Sequence, residues 1–177
     1  MQVELVLTIN AEDRPGLVET VAQEIVDHSG NWVDSAMSRL GGSFAGIVKV
    51  SVPETDAAAL EKSLLELRTQ GIEVSVRRGH GAGAALSRHA KLELIGQDQP
   101  GYVLKVTRLL AAQGVNVEEM ETSVFTASMS GERMFKAEAS IGLPDDLALN
   151  DLSAALEELA QDLMVEINLQ DEKGDNS

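Results

Sequence analysis

The sequence predicts an α+β protein that is built from two similar domains. Three observations carry this prediction: one motif occurs twice, the same succession of strand-like and helix-like segments surrounds each copy, and a glycine-rich stretch separates the two halves. The chain has 177 residues, which is enough for two small domains. The two copies of the motif are 85 positions apart and read Asp13-Arg14-Pro15-Gly16 and Asp98-Gln99-Pro100-Gly101.

Each motif joins a predicted strand to a predicted helix. The apolar runs 5–9 and 92–95 precede the motifs, and runs of this kind are typical of buried strands. After each motif, apolar residues recur at every fourth position, which places them on one face of a helix. These residues are Leu17, Val21 and Ile25 in the first half and Tyr102, Val106 and Leu110 in the second.

Two further strands follow each of these helices. In the first half the predicted strands are 32–40 and 44–52, and the pair Gly41-Gly42 between them suits a tight hairpin turn. In the second half the strands are 117–124 and 134–143. The longer polar stretch 125–132 therefore predicts a larger hairpin loop.

A second helix and a last strand complete each half. The helices carry leucines with the same spacing, and residues 72–76 and 165–169 alternate between apolar and polar, as half-buried strands do. The order is β-α-β-β-α-β in both halves, which is the ferredoxin-like fold with a four-stranded antiparallel sheet. We predict domains at 1–78 and 91–170, a glycine-rich linker at 79–90 and a flexible tail at 171–177. The leucines are Leu60, Leu64 and Leu67 in the first helix and Leu152, Leu156 and Leu159 in the second.

Composition and charge exclude several classes of protein. The chain has no cysteine and only three histidines, which argues against a disulfide framework, a Cys-ligated zinc site and other structural metal sites. Its net charge of −15 opposes direct binding to nucleic acids or anionic membranes. The N-terminus lacks the pattern of a signal peptide, so we expect a cytoplasmic protein. Residues 91–177 carry −11 of the net charge and are the expected face for a basic protein partner.

The motif suggests anion binding at a helix N-terminus. Proline fixes the backbone at the helix start, and glycine allows close approach of the backbone. Free first-turn N–H groups can hold an anion such as the α-carboxylate of an amino acid. We expect the motif aspartate to accept hydrogen bonds from these amides. A helix that is merely well capped is the simpler explanation of the motif taken alone, and this alternative stays open.

Two asparagines follow the motif helices at matching positions. Asn31 and Asn116 open the second strand of each half, and we expect each to lie at the same end of its sheet as the motif loop. An amide both donates and accepts hydrogen bonds, which suits a zwitterionic ligand. Asparagine also commonly ends helices in the left-handed conformation, so a capping role is the alternative.

Both halves resemble ACT domains, the small ligand-sensing modules of amino-acid metabolism. The resemblance rests on Asp13 to Val18 with Gly30-Asn31, and on Asp98 to Val103 with Gly114 to Val117. Two such domains form the architecture of the glycine cleavage system transcriptional repressor family, which the hairpin 41–45 also resembles. ACT domains pair side by side and hold an amino acid between the first strand–helix loop of one domain and the second strand of the other. The resemblance therefore implies a ligand-binding role for Asp13, Pro15, Gly16, Leu17, Val18, Asn31, Asp98, Pro100, Gly101, Tyr102, Val103 and Asn116.

The sequence departs from the pattern of serine-binding ACT domains. These domains often carry a histidine two residues before the loop's amide or acidic position, where this chain has Ala11 and Gly96. They also commonly have asparagine where this chain has Asp13 and Asp98. Tyr102 stands where the first half has the smaller Leu17, so the two ligand sites need not be equivalent.

The pattern of polar residues argues against an enzyme. We find no nucleophile with a base, no paired acids in a defined context and no phosphate loop, and we expect no cofactor or metal. His28 is interpreted as a helix C-terminal cap. Glu118, Glu119 and Glu121 are interpreted as a solvated strand edge, and Arg77, Arg78 and Arg88 as a solvated basic cluster near the linker.

The expected function is regulation in response to an amino acid. Glycine and serine are the first expected ligands, and we expect a homodimer that acts indirectly on transcription by binding a protein partner such as a DNA-binding activator. One alternative is an ACT-type assembly module that needs no ligand. The other is a separate regulatory subunit of an amino-acid or one-carbon enzyme, such as a formyltetrahydrofolate deformylase.

Overall fold

The computed structural model describes residues 1–79 and 86–172. The chain divides into two compact units, Met1–Gly83 and Ala84–Ser177, which are called the first and the second unit below. Residues 80–85, which are half of the predicted linker, and residues 173–177 of the predicted tail lie outside the described residues.

The first unit has the predicted order of elements, β-α-β-β-α-β. Its strands form one antiparallel sheet in the order β2-β3-β1-β4, so β2 and β4 are the edge strands. A 3₁₀ turn at Leu67–Gln70 connects the second helix to the last strand. The elements are β1 (Gln2–Glu12), α1 (Leu17–Asp27), β2 (Asn31–Leu40), β3 (Ser43–Pro53), α2 (Glu54–Glu66) and β4 (Ile72–Arg78).

The second unit repeats this topology. Its antiparallel sheet has the order β6-β7-β5-β8, which matches the first unit strand for strand. The prediction of two ferredoxin-like units with four-stranded sheets is therefore confirmed. The elements are β5 (Arg88–Gln97), α3 (Tyr102–Ala112), β6 (Asn116–Thr126), β7 (Arg133–Leu143), α4 (Leu149–Leu163) and β8 (Glu166–Glu172).

Apolar residues at strand and helix periods form the core of each unit. Along β1, Leu5, Leu7 and Ile9 are almost fully buried, while the alternating residues Thr8 and Asn10 are exposed. Burying one such aliphatic side chain stabilises a fold by about 1.5–3 kcal/mol, so these stripes account for the docking of the helices on one face of the sheet. The helical residues of the first cluster include Leu17, Val21, Ile25, Leu60 and Leu64, and those of the second include Tyr102, Val106, Leu110, Leu152 and Leu156.

The two hairpins differ as the sequence predicts. Gly41 and Gly42 have φ angles of +58° and +82°, and two consecutive positive φ angles are typical of a tight hairpin turn. In the second unit the strands end and begin farther apart, at Thr126 and Arg133, and the loop between them is closed by a hydrogen bond from Ala127 N to Glu132 O of 2.9 Å. The strand β6 thus extends two residues into the predicted loop.

The start of β5 is held in place by an arginine. Arg88 pairs with Leu143 in the sheet, so the strand begins within the residues assigned to the linker from the sequence. Its guanidinium group donates hydrogen bonds to backbone carbonyls, the shortest to Leu147 O at 2.6 Å. Arg78 forms an ion pair with Glu61 at 3.0 Å. Two members of the predicted basic cluster therefore make contacts within their own units, which corrects its interpretation as a solvated cluster.

Candidate functional site

The two motif loops, residues 13–16 and 98–101, have the same backbone geometry. Gly16 and Gly101 are the N-cap residues of α1 and α3, with left-handed φ angles of +89° and +101°. A Cβ atom built on either glycine would meet no atom within 4 Å. Glycine is therefore favoured at both positions by the backbone conformation and not by a lack of space.

The prediction that the motif aspartates cap the helices is wrong. Among the residues that the structure describes, no side chain makes a capping hydrogen bond at either helix start. Instead, Asp13 Oδ2 lies 3.1 Å from Arg39 Nη1, and Asp98 Oδ2 lies 3.3 Å from Arg133 Nη2. The arginines belong to the hairpin of the same unit, so each aspartate ties its motif loop to that hairpin. The first-turn N–H groups are left without a side-chain acceptor and can receive an anion.

Backbone hydrogen bonds support the same connection. The amide of Asp13 donates to Gly42 O, and that of Asp98 donates to Arg133 O, both at 2.9 Å. Each motif loop is therefore fixed to the neighbouring hairpin by one backbone bond and one ion pair. Sequence reasoning missed Arg39 and Arg133, because the two hairpins differ in length and place their arginines at different distances along the chain from the aspartates.

The two asparagines lie at the wrong end of their sheets for the predicted contact. Asn31 pairs with Ser51, which pairs with Glu4 near the start of β1. The motif loop follows the other end of β1, about 27 Å away at about 3.4 Å per residue. Asn116 is likewise aligned through β7 with His89 near the start of β5. The prediction that each asparagine lies beside its own motif loop is therefore wrong.

The capping alternative for these asparagines also fails. The left-handed residues after α1 and α3 are Ser29, with φ of +59°, and Gly114, with φ of +70°. Asn31 and Asn116 are instead the first residues of the edge strands β2 and β6, and both are exposed. Their side chains are thus presented at the sheet edge, one on each unit.

The remaining predicted ligand residues divide into buried and exposed groups. Leu17 and Tyr102 are core residues with 3% and 5% exposure. Val18 and Val103, one position further along, are exposed at 43% and 41%. Pro15 and Pro100 are exposed within the motif loops. Each helix therefore carries an exposed valine in its first turn, next to the motif loop.

Gly96 marks a difference between the units at the position where serine-binding ACT domains often carry a histidine. A Cβ atom built on Gly96 would lie 2.4 Å from Cγ1 and 3.2 Å from Cβ of Val165, and 3.4 Å from the hydroxyl oxygen of Tyr102. The second unit thus has no room for a side chain there. In the first unit the position is occupied by Ala11, which is buried.

Sequence reasoning also missed an apolar cleft in the second unit. The cleft lies between α3 and the strands β5, β6 and β7. The signal in the sequence is the small residue Ala139 on β7, where β3 of the first unit has the larger Val48. The lining residues include Leu94, Tyr102, Val106, Met120, Phe135 and Ala139.

The other titratable residues singled out in the sequence make local contacts. His28 is the C-cap residue of α1, and its Nδ1 lies 2.9 Å from Glu24 O, which agrees with a capping role. Glu118 Oε2 lies 3.1 Å from His89 Nδ1. Within residues 1–79 and 86–172, no group of three or more His, Asp or Glu side chains is arranged to hold a metal ion.

One lysine on the open face of the second sheet has a shifted pKa. Lys136 Nζ lies 3.1 Å from Glu138 Oε1 and 3.1 Å from Glu93 Oε2. Hydrogen bonds to Glu138 and then to Glu93 raise the pKa of the Lys136 ammonium group above 10.5. Ion pairs therefore connect β5 and β7 on this face, and the face is not part of the apolar cleft.

In the described part of the chain, no helix combines the length and the apolar character that a membrane span requires.

Known proteins match the chain in both repeats. A family model of the ACT domain matches residues 4–77 and, a second time, residues 92–170. Among solved structures, an unknown protein from Galdieria sulphuraria is 29% identical with a TM-score of 0.82, over 97% of this chain and 99% of that chain. A candidate glycine cleavage system transcriptional repressor is 21% identical with a TM-score of 0.71, over 97% and 98% of the two chains, which shows a shared fold. The comparison with curated proteins finds no significant match.

Proposed function

This chain belongs to the ACT domain family, with one copy of the domain in each unit, and from this premise we propose that it is a regulatory protein that responds to a free amino acid. The observation that carries the proposal is the duplicated motif loop. In both units a left-handed glycine opens a helix whose first-turn N–H groups have no side-chain cap. Such a helix start can receive the carboxylate of an amino acid.

The ammonium group and side chain of the ligand need partners beyond the loop. An amide from Asn31 or Asn116 can both donate and accept hydrogen bonds. Because each asparagine lies far from the motif loop of its own unit, a site that contains both a loop and an asparagine requires a second ACT unit. We therefore propose that ACT units pair and that the working form is a homodimer, with the edge strands β2 and β6 taking part in the pairing.

We propose that the protein acts on transcription through another protein and has no catalytic role of its own. The net charge of −15 opposes direct contact with a DNA backbone. A candidate glycine cleavage system transcriptional repressor has the same fold. Regulation of the glycine cleavage system is therefore the first process to test. A basic partner such as a DNA-binding activator in the cytoplasm would be complementary to the acidic second unit.

A ligand panel tests the regulatory proposal. The melting temperature of the full chain is measured with glycine, serine and the branched and aromatic amino acids, and a ligand at about 100 times its Kd should stabilise the folded protein by about 2.7 kcal/mol. A flat response to the whole panel would favour the alternative of an assembly module that needs no ligand. Capture of a stable enzyme partner would instead favour a separate regulatory subunit.

A gel-shift assay tests the indirect action on DNA. At physiological salt the purified protein alone should leave a target promoter fragment unshifted, because its net charge of −15 opposes contact with phosphates. Tight binding under these conditions would contradict the proposal that a protein partner contacts the DNA.

A further inference from the structure

The open face of the first sheet, which is the face without helices, has an uncharged centre. The register of the four strands aligns one residue from each strand into a row across this face. All four residues of the central row are exposed, and Ile47 is the largest of them, at 54% exposure. The row consists of Ala36, Ile47, Thr8 and Ser75.

The second sheet carries charges in the corresponding row. The matching residues are Glu121, Glu138, Glu93 and Asn168. Three carboxylates in one row favour a hydrated surface, because removing ionised groups from water is costly unless each is fully paired. Of the two open faces, that of the first sheet can therefore be covered at the lower desolvation cost.

Two residues of opposite charge stand at opposite edges of the first face. Asp34 on β2 and Arg77 on β4 lie in the row next to the central one, which also contains Lys49. Lys49 Nζ lies 2.9 Å from Glu4 Oε1, and Asp34 Oδ1 accepts a hydrogen bond from the amide of Ser35. Among the described residues, neither Asp34 nor Arg77 forms an ion pair. They lie three strands apart, at about 4.8 Å per strand, which is too far for a pair within one copy.

Two copies of this face are complementary under a two-fold axis. An axis that runs parallel to the strands, midway between two facing sheets, places β2 of one copy over β4 of the other and β3 over β1. Asp34 of each copy then faces Arg77 of the other. In the central row Ile47 faces Thr8, and in the row beyond it Glu73 faces Ser38 at the rim. No like charges meet in these three rows.

The face is large enough for a specific contact. Its four strands contain 39 residues, which at about 3.3 Å per residue and about 4.8 Å between strands cover about 600 Å². Two such faces would bury about 1,200 Å², which is at the lower end of the range for specific protein interfaces. Facing sheets pack about 10 Å apart, so side chains from both sheets interdigitate between them.

We propose that the open face of the first sheet binds the same face of a second copy of this chain, with Asp34 of each copy paired to Arg77 of the other around the uncharged central row. The charge pattern identifies the occupant, since each face supplies the partner that the other lacks. The contact uses the face of the sheet and leaves the backbone edges of β2 and β6 for the pairing proposed above. It does not depend on amino-acid binding.

Sedimentation of the full chain over a concentration series tests this interface. Asp34→Arg and Arg77→Asp should each weaken self-association by about tenfold or more, because like charges then face each other twice in every symmetric pair of copies. An equimolar mixture of the two variants should associate as tightly as the wild type, because both charge pairs are restored between unlike copies.

A variant of the central row and a matched control make the test specific. Ile47→Glu introduces the residue that the second sheet has at this position and should also weaken self-association by about tenfold or more. Leu65→Glu makes the same kind of change on α2, at 55% exposure and away from this face, and should leave the association unchanged. Circular dichroism and the unfolding midpoint show that each variant is folded.

The other outcomes overturn the interface in distinguishable ways. If Ile47→Glu and both charge variants associate as the wild type does, the face is not an interface, while a homodimer formed through the edge strands stands. If the mixture of charge variants stays as weak as each variant alone, the pairing of Asp34 with Arg77 is wrong. If the wild type is monomeric over the whole series, this interface and the proposed homodimer both fail, and amino-acid sensing is decided separately by the ligand panel.

Discussion

Replacing Gly96 by alanine should destabilise the second unit through one identifiable contact. The added Cβ would lie 2.4 Å from Val165 Cγ1 and 3.2 Å from Val165 Cβ, whereas carbon atoms pack at about 3.5–4.0 Å. A change of the Val165 rotamer can remove the contact with Cγ1, but the contact with Cβ at 3.2 Å remains and requires a shift of a few tenths of an ångström. The backbone of Val165 is held by a hydrogen bond from its amide to Ala160 O of 3.0 Å, which opposes this shift.

Overpacking of this kind typically costs about 1–3 kcal/mol, and we expect a loss of about 2 kcal/mol for Gly96→Ala. For a domain of this size, a loss of about 2 kcal/mol lowers the melting temperature by about 8–16 °C. Urea unfolding of the full chain, followed by circular dichroism, measures the free energy of unfolding.

A double-mutant cycle isolates the contact. In the Val165→Ala background the clash with Cγ1 is absent, so Gly96→Ala should cost less than half of what it costs in the wild type. The matched substitution Ala11→Gly in the first unit should cost about 1–2 kcal/mol, through backbone entropy and the loss of one buried methyl group. Equal losses from Gly96→Ala in both backgrounds would refute Val165 as the reason for glycine at this position.

Three further predictions concern the motif loop and the charged sheet face. Gly101→Ala should lower the free energy of unfolding by about 1–2 kcal/mol and Gly101→Asn by less, since asparagine tolerates the left-handed conformation. Equal losses of stability in urea titrations would contradict the explanation that the left-handed backbone favours glycine here. Asp98→Asn, which breaks the exposed pair with Arg133, should cost less than about 1 kcal/mol, and a loss of several kcal/mol would show that the loop depends on this pair. The pKa of Lys136, measured by NMR titration, should lie above 10.5 because its ammonium group is hydrogen-bonded to Glu138. The stabilisation from this ion pair is then complete at neutral pH and is lost only as the pH rises through the raised pKa. A titration midpoint at or below 10.5 would contradict the geometry.

The sequence was sufficient for the fold because its signals are local and repeated. Helical stripes such as Leu17, Val21 and Ile25 follow from the spacing of apolar residues along the chain, and these residues are buried as predicted. The pair Gly41-Gly42 predicts a tight turn from backbone conformation alone. The helical stripe recurs in the second half at Tyr102, Val106 and Leu110, which supports the same order of elements there.

The site was harder to predict because it depends on pairing and packing between distant segments. The error over Asn31 is one of strand direction, since α1 returns the chain to the start of β1 and β2 therefore begins at the end opposite the motif loop. The pair of Asp13 with Arg39 joins residues 26 positions apart, with no spacing that both units share. The contact of Gly96 with Val165 is decided by the volumes of neighbouring side chains, which no pattern in the sequence reports.

The most direct test of the central claim is a map of amide chemical shifts in the full chain as an amino acid is added. For the ligand that gives the largest thermal shift, we predict saturable changes at the backbone amides of Gly101 and Val103 and at the side-chain amide of Asn31 or Asn116. These changes would place the ligand at a motif loop and at an edge-strand asparagine. Saturable changes confined to other surfaces, or no change with any amino acid of the panel, would contradict the claim that this ACT protein senses an amino acid at its motif loops.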